Sequence, residues 1–270
     1  MQVALLDGRL IDADQPVLTL RNRGWQYGDG IFETMLLLRG QVRFWEDHLE
    51  RLQAGCTRLD LRAPNIELLK QELQLLRADR QDAVIKLTLM RNGSERGYRA
   101  PPAADVTRLW QLFDTPPATP AGIVVRWCDT RLSRNAQLAG LKHCNRLEQV
   151  LAQAEWRDTD IAEGLMLDTE GELICGTMSN VFLVLDGVLV TPDLRYSGIA
   201  GVMRKNLLRL ARSLQIEVEP RAIRAEDVQH ASEVFMCNSV RGIQPVVRLS
   251  EQLWPVGGIT QCLQRALQEN

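Results

Sequence analysis

The stretch Gly140-Leu-Lys-His-Cys-Asn-Arg-Leu-Glu-Gln-Val-Leu151 places a lysine close behind a glycine, at the head of a run with helical spacing. Leu147, Val150, Leu151 and Ala154 recur at intervals of three and four, the period of one helix face. A lysine at such a junction is ordinarily solvated, because lysine is rarely buried. Projected into a cavity instead, it loses its proton through desolvation and becomes a nucleophile for a carbonyl. The rest of the chain decides between these two readings.

A chain of 270 residues suits one large domain or two modest ones. The apolar share of 45% and the charged share of 24% are those of an ordinary globular protein. A formal charge of −2, with acids and bases mixed along the chain, leaves no electrostatic footprint for nucleic acid or an anionic membrane. An aspartate at position 7 comes too early for a signal peptide, and no apolar run approaches the roughly 20 residues that span a bilayer. Cys56, Cys128, Cys144, Cys175, Cys237 and Cys262 lack C-x-x-C spacing and read as reduced thiols. A cytoplasmic protein is expected.

Outward from the lysine, the first half reads as β-rich with two helices. A hairpin over Ile31 to Trp45 turns at Arg39-Gly40. Apolar residues at Trp45, Leu49, Leu52, Cys56 and Leu59 then predict an amphipathic helix. A second helix is expected from about Ile66 to Leu76, with strands over Ala83 to Met90 and Thr107 to Phe113. Asp114-Thr-Pro-Pro-Ala-Thr-Pro-Ala-Gly122 is too proline-rich for a sheet interior and reads as a linker. Beyond it come a strand at Ile123 to Trp127, the helix after Lys142, a hairpin turning at Asp168 to Gly171, and a strand over Val181 to Leu185. A helix over Val202 to Leu214, two strands flanking Asn238 and a last helix complete the pattern. It predicts two α/β domains, a smaller one over residues 1–113 and a larger one over 123–270, joined by 114–122 with a cleft between them.

Gly28-Asp29-Gly30 precedes a strand rather than a helix, so it reads as a tight turn and not as a dinucleotide fingerprint. There is no P-loop, H-E-x-x-H or G-x-S-x-G, and His48, His143 and His230 are too dispersed for an obvious metal site. Ser197-Gly-Ile-Ala-Gly201-Val-Met-Arg204 leads two glycines into a helix, which aims N–H groups at an anion or simply starts the helix. Asn238-Ser239, after the apolar strand Glu233 to Cys237, offers further donors. Arg51, three residues past His48 and on the same helix face, offers a charge-assisted phosphate contact or is merely solvated.

Taken in order, Arg23-Gly-Trp-Gln-Tyr-Gly-Asp-Gly-Ile-Phe-Glu-Thr34, His48-Leu-Glu-Arg-Leu52, Lys142, Met178-Ser-Asn-Val-Phe182 and Gly198-Ile-Ala-Gly-Val-Met-Arg204 resemble the class IV aminotransferase family. These are the fold-type IV pyridoxal-phosphate enzymes. The resemblance spans nearly the whole chain and implies two α/β domains, a homodimer, and pyridoxal 5′-phosphate in the cleft. It makes Lys142 the cofactor-anchoring lysine and Arg51 a phosphate ligand. Val202 and Met203 become backbone N–H donors to the phosphate, with Asn238 and Ser239 beside them. Arg96-Gly-Tyr98, Leu138 to Gln149 and Cys237 to Val246 are more similar to the aminodeoxychorismate lyase branch than to the transaminases. That branch forms 4-aminobenzoate and pyruvate on the way to folate, and Arg96, Tyr98 and Arg241 are its candidate substrate residues here.

One position departs from the family. Where it sets a glutamate under the pyridine nitrogen, five residues before the asparagine of the Ser-Asn-Val-Phe segment, this chain has Cys175. A carboxylate keeps the ring nitrogen protonated and the ring a strong electron sink; a neutral thiol does this less well. Elimination that ends in an aromatic product tolerates that loss better than transamination. A transaminase for branched-chain or D-amino acids, and a cofactor-binding protein with little or no turnover, remain the other readings of the same residues.

Overall fold

The computed structural model describes residues 3–93, 96–100, 104–117 and 121–269. The chain divides into two compact units, Met1–Pro116 with Lys142–Asn145, and Pro117–Leu141 with Arg146–Asn270. The proline-rich stretch contains the first change of unit, and its residues 118–120 lie outside the described residues. The mixed α/β class expected from the sequence is the class found.

The first unit contains β1 (Val3–Leu6), β2 (Arg9–Asp12), α1 (Arg23–Tyr27), β3 (Gly30–Leu38) and β4 (Gln41–Val42). It continues with α2 (Trp45–Arg58), α3 (Ile66–Arg77), β5 (Ala83–Arg91) and β6 (Val106–Phe113). Its six strands form an antiparallel sheet in the order β2-β1-β6-β5-β3-β4. Two hairpins turn on residue pairs with positive φ at both positions, Asp7-Gly8 and Arg39-Gly40. That backbone matches the right-handed twist of the strands it joins. Period-two alternation puts Ile31, Met35 and Leu37 of β3 in the core with Ile85, Leu87, Leu89 and Trp110. Leu49, Leu52 and Cys56 of α2 and Leu69, Leu73 and Leu76 of α3 cover that face. The α3 start is set by Asn65, whose side chain accepts from the N–H groups of Glu67 and Leu68.

The second unit contains β7 (Ile123–Trp127), α4 (Leu147–Gln153), β8 (Ile161–Leu167), β9 (Leu173–Gly176), β10 (Asn180–Leu185) and β11 (Val188–Pro192). It goes on through α5 (Val202–Ser213), β12 (Val218–Arg221), α6 (Ala225–His230), β13 (Glu233–Asn238), β14 (Gly242–Leu249), β15 (Gln252–Leu253) and α7 (Gly258–Glu269). Its nine-stranded sheet runs β12-β11-β10-β13-β14-β7-β8-β9, with β15 paired to β14. The pairs β11–β12, β14–β7 and β7–β8 are parallel and the others antiparallel. β10 is apolar without alternation because both its faces are covered: Val181 and Leu183 lie in the core, while Phe182 stacks on Phe235 at 5.0 Å.

The helix after Lys142 differs from the sequence expectation in two ways. It begins at Leu147, because residues 142–144 add to the edge of β3 and a backbone committed to sheet pairing cannot be helical. Its apolar stripe is also turned outward, with Leu147, Val150 and Leu151 all at least 60% exposed. The short elements β1, β2, α1, β11, β12 and α6 are further ones that the sequence periodicity does not disclose.

Candidate active site

The site is assembled from β3 outward. Lys142 donates no helix start; its carbonyl accepts from Phe32 N–H at 2.9 Å, His143 bridges Ile31, and Cys144 N–H donates to the Gly30 carbonyl at 2.9 Å. Lys142 therefore stands opposite Phe32, and its Nζ lies over the Phe32 ring, 4.3 Å from the centroid. Lys86 lies over the same ring at 5.3 Å. The chain changes unit between Leu141 and Lys142. On the near side of that change, Gly140 pairs with Ile199, donating to the Gly198 carbonyl and accepting from Ala200 N–H.

Alternation turns the next residue, Glu33, to the other face of β3, among the apolar side chains under α2. A carboxylate buried there needs charged partners, and α2 supplies two from one face. Arg51 donates through Nε at 2.8 Å and Nη2 at 2.5 Å, and His48 Nδ1 lies 2.6 Å away. Burial by itself pushes the Glu33 carboxyl up, but the charge and hydrogen bonds of Arg51, then those of His48, outweigh it and hold the group at about 2. His48 Nε2 is buried and has no hydrogen-bond partner among the described residues.

In the second unit, α5 opens on Gly201, which provides no side-chain cap. A Cβ there would lie 2.0 Å from Asn180 Oδ1, so any larger residue would have to displace the Asn180 side chain, which is held by the Ile199 carbonyl. The first turn, Val202 and Met203, is buried and presents uncapped backbone at the positive end of the helix dipole. Asn238 ends β13, and its Oδ1 accepts from Val240 N–H at 3.0 Å and Arg241 N–H at 2.8 Å, folding Ser239 into a tight turn. Asn238 Nδ2 donates to Ser179 Oγ at 3.2 Å, and Ser179 in turn donates to Glu163 at 3.0 Å. Glu163 is a buried carboxylate that also collects the N–H groups of Gly164, Thr177 and Met178 and the Thr177 hydroxyl. These donors suit an anionic cofactor: uncapped backbone N–H groups, a glycine that clears the approach, and small polar side chains on rigid strand ends.

Cys175 pairs with Met166 in the β8–β9 ladder and is buried among Cys128, Met166 and Ile174. Burial, reinforced by the charge of Glu163, pushes its thiol up to about 12, so it is a neutral group. Glu172 precedes β9, bridges Arg224 and lies 3.7 Å from Arg134, away from the Cys175 position.

Lys142, Arg51, Arg96 and Tyr98 thus belong to the first unit, and Cys175, Val202, Met203, Asn238, Ser239 and Arg241 to the second. Arg96, Tyr98 and Arg241 are exposed on turns. The sequence reading passed over Glu33 and Glu163. Glu33 did carry a signal, since it occupies a core-facing register of an otherwise apolar alternation.

The chain belongs to the amino-transferase class IV family, whose model matches residues 30–249. Members of this family are pyridoxal-phosphate enzymes. The aminodeoxychorismate lyase of Vibrio harveyi is 34% identical over 258 residues, which cover 93% of this chain and 95% of that protein. The crystal structure of 4-amino-4-deoxychorismate lyase from Pseudomonas aeruginosa superposes with a TM-score of 0.92 at 44% identity, covering 99% of this chain and 98% of that one. The branched-chain amino acid aminotransferase of Escherichia coli shares the fold, with a TM-score of 0.87 at 23% identity over 99% and 93% of the two chains.

Proposed function

We propose that the protein is a pyridoxal-phosphate-dependent lyase that converts 4-amino-4-deoxychorismate to 4-aminobenzoate and pyruvate. The observation that carries this reading is Lys142, held by its own backbone along β3 with its amine over Phe32. Arg51, the first turn of α5 at Val202 and Met203, and the Asn238-Ser239 turn are the groups we assign to the cofactor phosphate. When bound, the cofactor supplies a ring that withdraws electrons from the carbon bearing the substrate amine. Neutral Lys142 then takes the proton from that carbon. The neighbouring carbon–oxygen bond breaks, the electron pair leaves with the enolpyruvyl oxygen as the ring becomes aromatic, and the departing enolate takes up the proton held by Lys142 at its methylene carbon to become pyruvate. Arg96, Tyr98 and Arg241 are the residues we assign to the substrate carboxylates.

The neutral thiol of Cys175 favours elimination over amino-group transfer, since aromatisation supplies driving force that a transaminase lacks. We assign the functional form to a homodimer, supported by the outward apolar stripe of Leu147, Val150 and Leu151 on α4. Among the described residues no helix is long and apolar enough to cross a membrane; a cytoplasmic location is the corresponding proposal. The test incubates the purified protein and pyridoxal phosphate with aminodeoxychorismate, and separately with amino-acid and keto-acid pairs. Release of 4-aminobenzoate and pyruvate is expected; amino transfer alone would establish the transaminase, and no turnover the non-catalytic reading.

A further inference from the structure

We infer that Arg23 is a positioning residue for substrate recognition, fixing the backbone of the Arg96–Tyr98 turn from behind; this rests on the assignment of Arg96 and Tyr98 to the substrate. Arg23 is only 4% exposed, and each of its three guanidinium nitrogens donates a hydrogen bond. Nε donates to Asp29 Oδ2 at 2.8 Å, Nη1 to the Gly97 carbonyl at 2.8 Å, and Nη2 to the Tyr98 carbonyl at 2.9 Å. One planar fork thus reads two successive carbonyls, which the point charge of a lysine cannot do. The same Asp29 oxygen accepts from Arg91 Nε at 2.9 Å, and Arg91 holds the Leu59 and Asp60 carbonyls at the end of α2. The clamp is therefore anchored to the body of the first unit rather than floating on a loop.

A second anchor comes from Tyr27. Its hydroxyl accepts from Gly97 N–H at 3.2 Å, its ring lies 4.9 Å from the Arg23 guanidinium, and it meets the Tyr98 ring edge-on at 5.5 Å. Gly97 has φ +112, a conformation that L side chains rarely adopt, and a Cβ there would meet nothing within 4 Å. The turn is thus held on its inner side and open on its outer side. Arg96 and Tyr98 project outward, Tyr98 being 87% exposed. A guanidinium and an aromatic ring on a pre-ordered backbone suit a carboxylate carried on an unsaturated ring, because little ordering remains to be done on binding.

The test compares Arg23→Lys, Gly97→Ala and Arg96→Ala in the cofactor-loaded enzyme, by KM and kcat for aminodeoxychorismate, absorbance of bound cofactor and thermal melting. Gly97→Ala strains the turn without a clash and keeps the question open to measurement should Arg23→Lys fold poorly. Each is expected to raise KM roughly tenfold, the scale of one charged hydrogen bond, with kcat within about twofold and the cofactor absorbance unchanged. The double variant Arg23→Lys/Arg96→Ala should exceed the larger single effect by little, because both remove one contact. If Arg96→Ala raises KM while Gly97→Ala and Arg23→Lys alter only melting, the inference is overturned and the clamp is structural. Unchanged KM in Arg96→Ala overturns instead the substrate assignment on which the inference stands.

Discussion

Glu33 and Arg51 form a two-point ion pair under α2, with Nε 2.8 Å from one carboxylate oxygen and Nη2 2.5 Å from the other. Because the folded carboxyl sits at about 2, below its ordinary 4.5, the pair adds stability that is complete above about pH 4.5 and is lost as pH falls toward 2. At about 1.4 kcal/mol per unit the contribution is on the order of 3 kcal/mol. Urea unfolding between pH 6 and 3 should show the loss in the wild type and a flatter profile in Glu33→Gln. Parallel profiles would remove Glu33 as its source.

The same pair changes what an Arg51 substitution reports. Arg51→Ala removes the proposed phosphate ligand and also leaves a buried carboxylate with His48 as its remaining charged partner, at a cost of up to about 3–5 kcal/mol in stability. Arg51→Ala/Glu33→Gln should recover much of the stability while cofactor affinity stays weakened by about 1.5–3 kcal/mol. Cofactor titration and chemical unfolding on the two variants separate the roles; affinity restored along with stability would leave Arg51 a purely structural residue.

Lys142→Ala is expected to abolish both turnover and the long-wavelength absorbance of a lysine-linked cofactor, while the β3 edge persists because its contacts there are backbone ones. Ordinary activity in this variant would end the assignment of Lys142.

Cys175→Glu should raise amino transfer to keto acids, since a buried carboxylate paired with a pyridinium is a better electron sink than a thiol. Without cofactor the new carboxylate is buried near Glu163, and the protein should lose on the order of 2 kcal/mol. Unfolding with and without pyridoxal phosphate, beside a transamination assay, measures both. Amino transfer unchanged at full cofactor occupancy would show that residue 175 does not govern the ring.

Glu163→Ala should unfold at lower urea. It leaves the Met178 N–H group and the Thr177 and Ser179 hydroxyls without their acceptor, at about 1–3 kcal/mol for each group that water cannot reach, while the Thr177 N–H keeps the Gly164 carbonyl. An unchanged midpoint would mean that water replaces the carboxylate.

Much was legible in the chain because local patterns decide it. Alternation placed β3 and β5, three- and four-residue spacing placed α2 and α3, and the Arg39-Gly40 and Asp168 to Gly171 turns carried their own backbone chemistry. The ordered motifs from Arg23 to Arg204 led to the family by resemblance, with a lysine and a glycine-led helix among them. Only the tertiary structure decided that Lys142 is held as an added edge of β3 rather than at a helix start, and that the apolar stripe of α4 faces outward. It alone gave Glu33 its partners on α2, Glu163 its donors on the Thr177 to Ser179 turn, and Arg23 its grip on Gly97 and Tyr98. Sequence periodicity fixes which way a side chain points from its own element. Which group waits there is set by chain segments far away in sequence, and no local pattern encodes them.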